Sequence, residues 1–203
     1  MLGVTIAIGN SYRRMAERAA ASFAKNAGLK TRILTPKTVP AWSRAQAQMT
    51  KLDLFDLVPK EENFIFFDAD TLMVRKADLN FGFVDGFGAC ENIDTGAVTR
   101  ECRKYKLDRA LYFNSGLMWL DRKQHLEIFR QARALDIPMP RHSDQTYLNI
   151  AAQRSGIPIT IFDDRHNRML TCEDEIPDDT VVIHAIACRD PMAGRRWVMD
   201  VDF

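Results

Sequence analysis

The chain of 203 residues has the length of one globular domain with a sizeable core. Its 28 Lys and Arg nearly cancel its 27 Asp and Glu, which removes bulk attraction to nucleic acid or to an anionic membrane and leaves selectivity to local sites. Four scattered cysteines, Cys90, Cys102, Cys172 and Cys188, have no Cys-x-x-Cys spacing, so neither a zinc cluster nor a disulfide framework is expected, and the cytoplasm is the expected location.

The opening run MLGVTIAIG is too short to span a membrane and carries no basic leader; its apolar part GVTIAI reads as a first core strand. GNSY follows as a polar turn, and RRMAERAAASFAKNAG as a helix closed by Gly28. TRILT reads as a second strand ending at Pro36. SRAQAQMTKLDLFDL places Met49, Leu52, Leu54, Phe55 and Leu57 at mostly helical spacing and predicts a helix that Pro59 stops. FIFFDADTLMV, residues 64–74, supplies a buried strand. YFNSGLMWLDR predicts a turn feeding a strand, KQHLEIFRQARAL an amphipathic helix, and SDQTYLNIAAQRSG a helix with Ser143 as N-cap and Gly156 just past its end. IPITIF and TVVIHAI are β-branched runs expected to extend the sheet, and the tail from Cys188 is basic and irregular. No repeat or linker interrupts the alternation, which predicts one α/β domain over residues 1–203, with a mainly parallel sheet and a ligand crevice beyond the strands' carboxyl ends.

Asp68 and Asp70 stand at such an end. Carboxylates at strand positions i and i+2 point to the same side, where they repel each other and lose hydration. A hard divalent cation, Mg²⁺ or Mn²⁺, takes oxygen ligands and commonly bridges protein carboxylates to substrate phosphates, which gives the pair a reason to exist. The structural alternative makes Asp68 a turn cap and leaves Asp70 facing solvent or paired with Arg75 or Lys76. A second alternative is a phosphatase of the haloacid dehalogenase type, with Asp68 as nucleophile, Asp70 as general acid/base and Asp163 and Asp164 as the later acidic pair. Its register is off, because Thr71 follows Asp70 at once and Leu72 occupies the slot that Thr or Val usually fills.

Taken together and in order, MTKLDLFDL, FIFFDADTLMV, YFNSGLMWLDR, SDQTYLNI and VVIHAIACRDP resemble the glycosyltransferases of family 8, which include glycogenin and bacterial lipopolysaccharide galactosyltransferases. The resemblance covers most of the chain. It implies a GT-A fold with an abbreviated N-terminal nucleotide-binding half, a UDP-sugar donor carrying glucose or galactose, a Mn²⁺ or Mg²⁺ ion, and transfer with retention to a saccharide or other hydroxyl acceptor. Residue by residue, it implies Asp68, Asp70 and His184 as metal ligands. Asp144 then faces a donor-sugar hydroxyl and Gln145 the anomeric carbon, Asp144 being the fallback nucleophile. Tyr12, Asn10, Lys51, Asn114, Ser115 and Gly116 fall to the donor. The family's closing diphosphate-binding lysine is replaced by Asp190, which makes Arg189, Arg195 and Arg196 the candidates for that charge. A non-catalytic nucleotide-sugar binding module is the remaining alternative. Neither nucleic acid nor a transmembrane segment is expected, and a homodimer is compatible with the chain.

Overall fold

A computed structural model describes residues 1–35, 48–93, 96–138, 140, 143–171, 173–185, 199–201 and 203. Strand β1, Leu2–Ile6, runs into helix α1, Asn10–Ala27, and β2, Lys30–Leu34, returns parallel to β1. GNSY is therefore not a separate turn, since helical geometry begins at Asn10. Gly28 ends α1 in the left-handed conformation at φ 67°, and its N–H donates to the Ala24 carbonyl at 3.1 Å. A side chain would be strained there, which is why the helix stops at glycine.

The helix expected before Pro59 is broken where it can be seen. Thr50–Asp53 forms a turn of 3-10 helix and Leu54–Leu57 one turn of α-helix, α2. Leu54 N–H donates to the Lys51 carbonyl, an i to i+3 bond that tightens the chain. Phe55 is pinned in the core by edge contacts to Phe64 and Phe129, with ring centroids 5.4 and 5.0 Å apart. Arg122 fastens the same segment from outside, its guanidinium donating to the carbonyls of Phe55, Val58 and Glu61.

The remaining elements are β3 (Asn63–Phe67), β4 (Thr71–Met73), β5 (Phe87–Glu91), α3 (Gly96–Tyr105), β6 (Phe113–Asp121), α4 (Arg122–Ala134), α5 (Ser143–Ser155), β7 (Ile159–Phe162), β8 (Arg168–Leu170) and β9 (Val182–Ala185). Six strands form a mainly parallel sheet in the order β2-β1-β3-β6-β5-β7. Strand β6 alone runs against its neighbours. The expected turn at FNSG is thus the first part of β6, and a register shift between Ala89 and Cys90 of β5 accommodates it. β7 extends the sheet as expected. β9 does not: it forms a second, three-stranded sheet, β4-β9-β8, whose register sets His184 opposite Thr71. Among the described residues no helix is long and apolar enough to cross a membrane.

Reversal of β6 decides what meets what at the sheet edge. An antiparallel strand brings its amino end to the carboxyl ends of its neighbours, so Asn114, Ser115 and Gly116 arrive beside Asp68. Asp68 N–H donates to the Gly116 carbonyl at 2.8 Å. Behind this edge the core is aromatic, with Phe23 stacked on Phe67 at 4.1 Å and Trp119 buried against Phe162.

His125, buried in α4, accepts from Asp121 N–H through Nδ1 and donates from Nε2 to the Gly86 carbonyl, both at 2.9 Å. Those partners require the neutral ring, and burial holds its pKa below the usual histidine value, against the pull of Gly86 and Asp121. The unfolded chain takes up the proton first as pH falls, so this contribution is complete above pH about 6.5 and is lost on acidification through the folded-state pKa. Urea unfolding at a series of pH values between about 7 and 5 is expected to show falling stability, with a shallower slope in His125→Gln.

Candidate active site

Asp68 and Asp70 lie in the turn that carries the chain from the large sheet to the small one. The small sheet fixes the turn through Thr71 Oγ1, which donates to the Asp68 carbonyl at 2.7 Å, and Ala185 N–H, which donates to the Asp70 carbonyl at 2.9 Å, while the large sheet holds it through the bond from Asp68 N–H to the Gly116 carbonyl. His184 comes from β9 across that junction, with Nε2 at 3.4 Å from Asp70 Oδ1 and 3.9 Å from Asp68 Oδ2. One ligand atom from each of the three residues lies within 4.8 Å of the other two. Two carboxylate oxygens and an imidazole nitrogen suit Mn²⁺ or Mg²⁺, the nitrogen tilting the set towards Mn²⁺. Burial alone would depress the His184 pKa, but the hydrogen bond and charge of Asp70 outweigh it and raise it. His184 in turn holds Asp70 below the usual carboxylate value, although burial acts in the other direction. Asp70 does not pair with Arg75, which binds Asp178 instead.

The imidazole fits because residue 116 is glycine. A Cβ there would stand 2.3 Å from His184 Cε1, 2.6 Å from its Nδ1 and 2.7 Å from Asn114 Oδ1. In the sequence Gly116 suggested close approach of a ligand; in the fold it makes room for a histidine.

Lys51 is the centre of charge. Its ammonium lies 2.9 and 3.2 Å from the two oxygens of Asp68, 2.9 Å from Asp144 Oδ2, and within 3.2 Å of the Ser115 carbonyl and hydroxyl. Burial opposes its charge, yet Asp144 and Asp68 win and lift its pKa well above the usual lysine value. Asp68, Asp70 and Asp144 against Lys51 leave two net negative charges when His184 is neutral. A divalent cation matches that surplus.

Lys51, Asp68, Asp70 and Asp144 border a cavity of about 250 Å³, whose lining includes neither His184 nor Asn114, Ser115, Gly116 or Gln145. Ile6, Ile8, Tyr12 and Phe66 form its apolar wall and Gln48, Lys51, Asp68, Asp70 and Asp144 its polar one. Asn10 is exposed and outside that lining. Asp144 and Gln145 occupy the first turn of α5 as expected, and Ser143 is its first helical residue, not a residue before it. Asp144 Oδ2 also accepts from Ser115 Oγ at 3.0 Å. Gln145 accepts from Ser115 N–H at 3.2 Å and donates to Asn92 Oδ1 at 3.3 Å. Asn114 donates to the same Asn92 oxygen and accepts from Gly116 N–H and Asn167 Nδ2. Asn92 and Asn167 thus complete an amide chain that sequence reasoning missed. Arg189, Arg195 and Arg196 lie outside the described residues.

The acidic pair that a phosphatase would need is engaged elsewhere. Asp163 binds Arg165 at 3.0 Å and Asp164 binds Arg168 at 2.8 Å, and neither lines the cavity.

The chain has the α/β fold of the GT-A-like glycosyltransferases. The particular structures it matches are LgtC and WbbM. An active-site mutant of LgtC and the galactosyltransferase LgtC in complex with donor and acceptor sugar analogs each match with a TM-score of 0.63 and 16% identity, over 98% of this chain and 94% of theirs. The bifunctional glycosyltransferase WbbM, in its apo structure, matches with a TM-score of 0.71 and 13% identity, over 98% of this chain and 50% of its own. No protein-family model and no curated protein sequence matches the chain.

A Gly116→Ala variant is expected to fold but to push the His184 ring off the cluster. Its stability should fall by about 1–3 kcal/mol from overpacking, and the rise in Tm on adding MnCl2 should shrink or vanish relative to wild type in a thermal-shift titration.

Proposed function

We propose that the chain is a metal-dependent retaining glycosyltransferase, a single GT-A domain that moves glucose or galactose from a UDP-sugar to the hydroxyl of a saccharide or other acceptor. The observation that carries this reading is the Asp68, Asp70 and His184 cluster, whose two aspartates line a cavity, in a fold shared with glycosyltransferases. The order of the family 8 motifs supports it, and so does the solved LgtC complex with donor and acceptor sugar analogs.

When bound, Mn²⁺ or Mg²⁺ supplies Lewis-acid stabilisation of the departing diphosphate. The chain's own residues do the positioning. Asp68, Asp70 and His184 would hold the cation. Tyr12 offers an aromatic face to the base and Asn10 a hydrogen bond. Asn114 and Ser115 would serve the donor sugar's hydroxyls, Gly116 contributes by admitting the His184 ring, and Arg189, Arg195 or Arg196 would add positive charge at the diphosphate.

Retention needs either a covalent intermediate or attack on the face the leaving group vacates. Gln145 is an amide and a poor nucleophile. Asp144 is a carboxylate, but one oxygen is held by both the Lys51 ammonium and the Ser115 hydroxyl, which stabilises its charge and lowers its nucleophilicity. Same-face attack, with the leaving phosphate oxygen taking the acceptor's proton, fits these constraints.

The test is release of UDP from UDP-glucose or UDP-galactose in the presence of MnCl2. Wild type should hydrolyse one donor slowly without acceptor, and Asp70→Asn should lower that rate by roughly 10²–10³-fold. Stabilisation by Mn²⁺ with the UDP-sugar should exceed that by Mn²⁺ alone. Asp68-dependent phosphate release from a simple phosphomonoester, without a nucleotide effect, would return the phosphatase reading. Stabilisation without turnover would leave a binding module.

A further inference from the structure

Asp68 serves two positive partners. It belongs to the cation cluster with Asp70 and His184, and both of its oxygens are already bound by Lys51 at 2.9 and 3.2 Å. Lys51 cannot retreat into solvent, because the residue is only 8% exposed and its ammonium sits 5.1 Å from the centre of the buried Phe66 ring. It does have somewhere else to go. Asp144 Oδ2, the Ser115 carbonyl and the Ser115 hydroxyl lie within 3.2 Å of the same nitrogen, and the ion pairs of His184 involve none of them.

We propose that Lys51 sets the cation affinity of this site and makes it depend on the donor: its ammonium competes with the divalent ion for Asp68, and a nucleoside diphosphate eases the competition by giving Lys51 another anionic partner. The inference rests on the metal-dependent reading above and adds an order of events to it. A single and a double positive charge sharing one carboxylate repel strongly in a site this little exposed, enough to weaken cation binding about tenfold or more. Asp144 limits the loss by drawing the ammonium towards α5. The diphosphate carries the negative charge that lets all three cationic and anionic groups coexist, and by linkage whatever it contributes to cation affinity the cation returns to the diphosphate.

Isothermal titration of MnCl2, with and without UDP and at fixed ionic strength, reads this directly on three proteins. Wild type should bind Mn²⁺ weakly alone and more tightly with UDP. Lys51→Met should bind Mn²⁺ alone about tenfold tighter than wild type, and UDP should improve its Mn²⁺ affinity by a smaller factor. Asp144→Asn, which leaves Lys51 with Asp68 as its one carboxylate among the described residues, should bind Mn²⁺ more weakly than wild type. These opposite signs separate competition from general damage, which would weaken both variants. Wild type that binds Mn²⁺ while Lys51→Met binds it equally or less well overturns the competition and leaves the glycosyltransferase reading standing. Where Lys51→Met does not fold, an Asp144→Asn that binds Mn²⁺ as tightly as wild type has the same force. Wild type that binds no Mn²⁺ with or without UDP overturns both.

Discussion

Three carboxylates crowd one end of a buried strand, and the architecture around them is arranged to make that tolerable. Like charges this close, with side chains a quarter to a third exposed at Asp68 and Asp70 and less at Asp144, stay ionised only beside compensating charge. Lys51 offsets part of it from the 3-10 turn. With His184 neutral, the surplus that remains is the size of a divalent cation's charge. Most departures from regular structure near the site serve this arrangement: the broken helix that turns Lys51 inward, the reversed β6 that delivers Ser115, and the glycine that admits His184.

Legibility in the sequence followed the range of the interaction. FIFFDAD announces itself, because an apolar run ending in Asp-x-Asp is a local pattern, and Gly28 and Gly156 mark helix ends by backbone conformation alone. His184 could be named from the ordered motifs, but its meeting with Asp70 depends on pairing between β4 and β9, segments more than a hundred residues apart. Strand direction is of the same kind. Nothing within YFNSGLMWLDR says that it runs antiparallel to β3 and β5, so FNSG read as a turn. Asn92 and Asn167 escaped for a related reason. A lone amide has no periodicity, and its use appears only where four separate segments converge.

The helix expected over residues 43–57, of which 43–47 lie outside the described residues, shows over 48–57 the opposite case, a local pattern interrupted by packing. Its apolar spacing was real, and Leu52, Leu54 and Phe55 are all buried. Helical propensity is worth a few tenths of a kcal/mol per residue, less than the aromatic contacts of Phe55. With Arg122 holding the carbonyls of Phe55 and Val58, the chain tightens to satisfy both sets of contacts.

The junction between the two sheets carries a consequence for order in the molecule. His184 belongs to a three-stranded sheet of short strands, whereas Asp68 hangs from the end of a strand in the six-stranded one. A short sheet opens locally at lower cost than a long one with both faces packed. Thr71 Oγ1 to the Asp68 carbonyl and Ala185 N–H to the Asp70 carbonyl are single hydrogen bonds, each worth about 1 kcal/mol net. On the reading proposed above, a cation would be held from both sides of this junction, by Asp68 and Asp70 of the turn and His184 of β9. Its binding would then add a link between the two sheets beyond those hydrogen bonds, at the place where the site's three side chains meet.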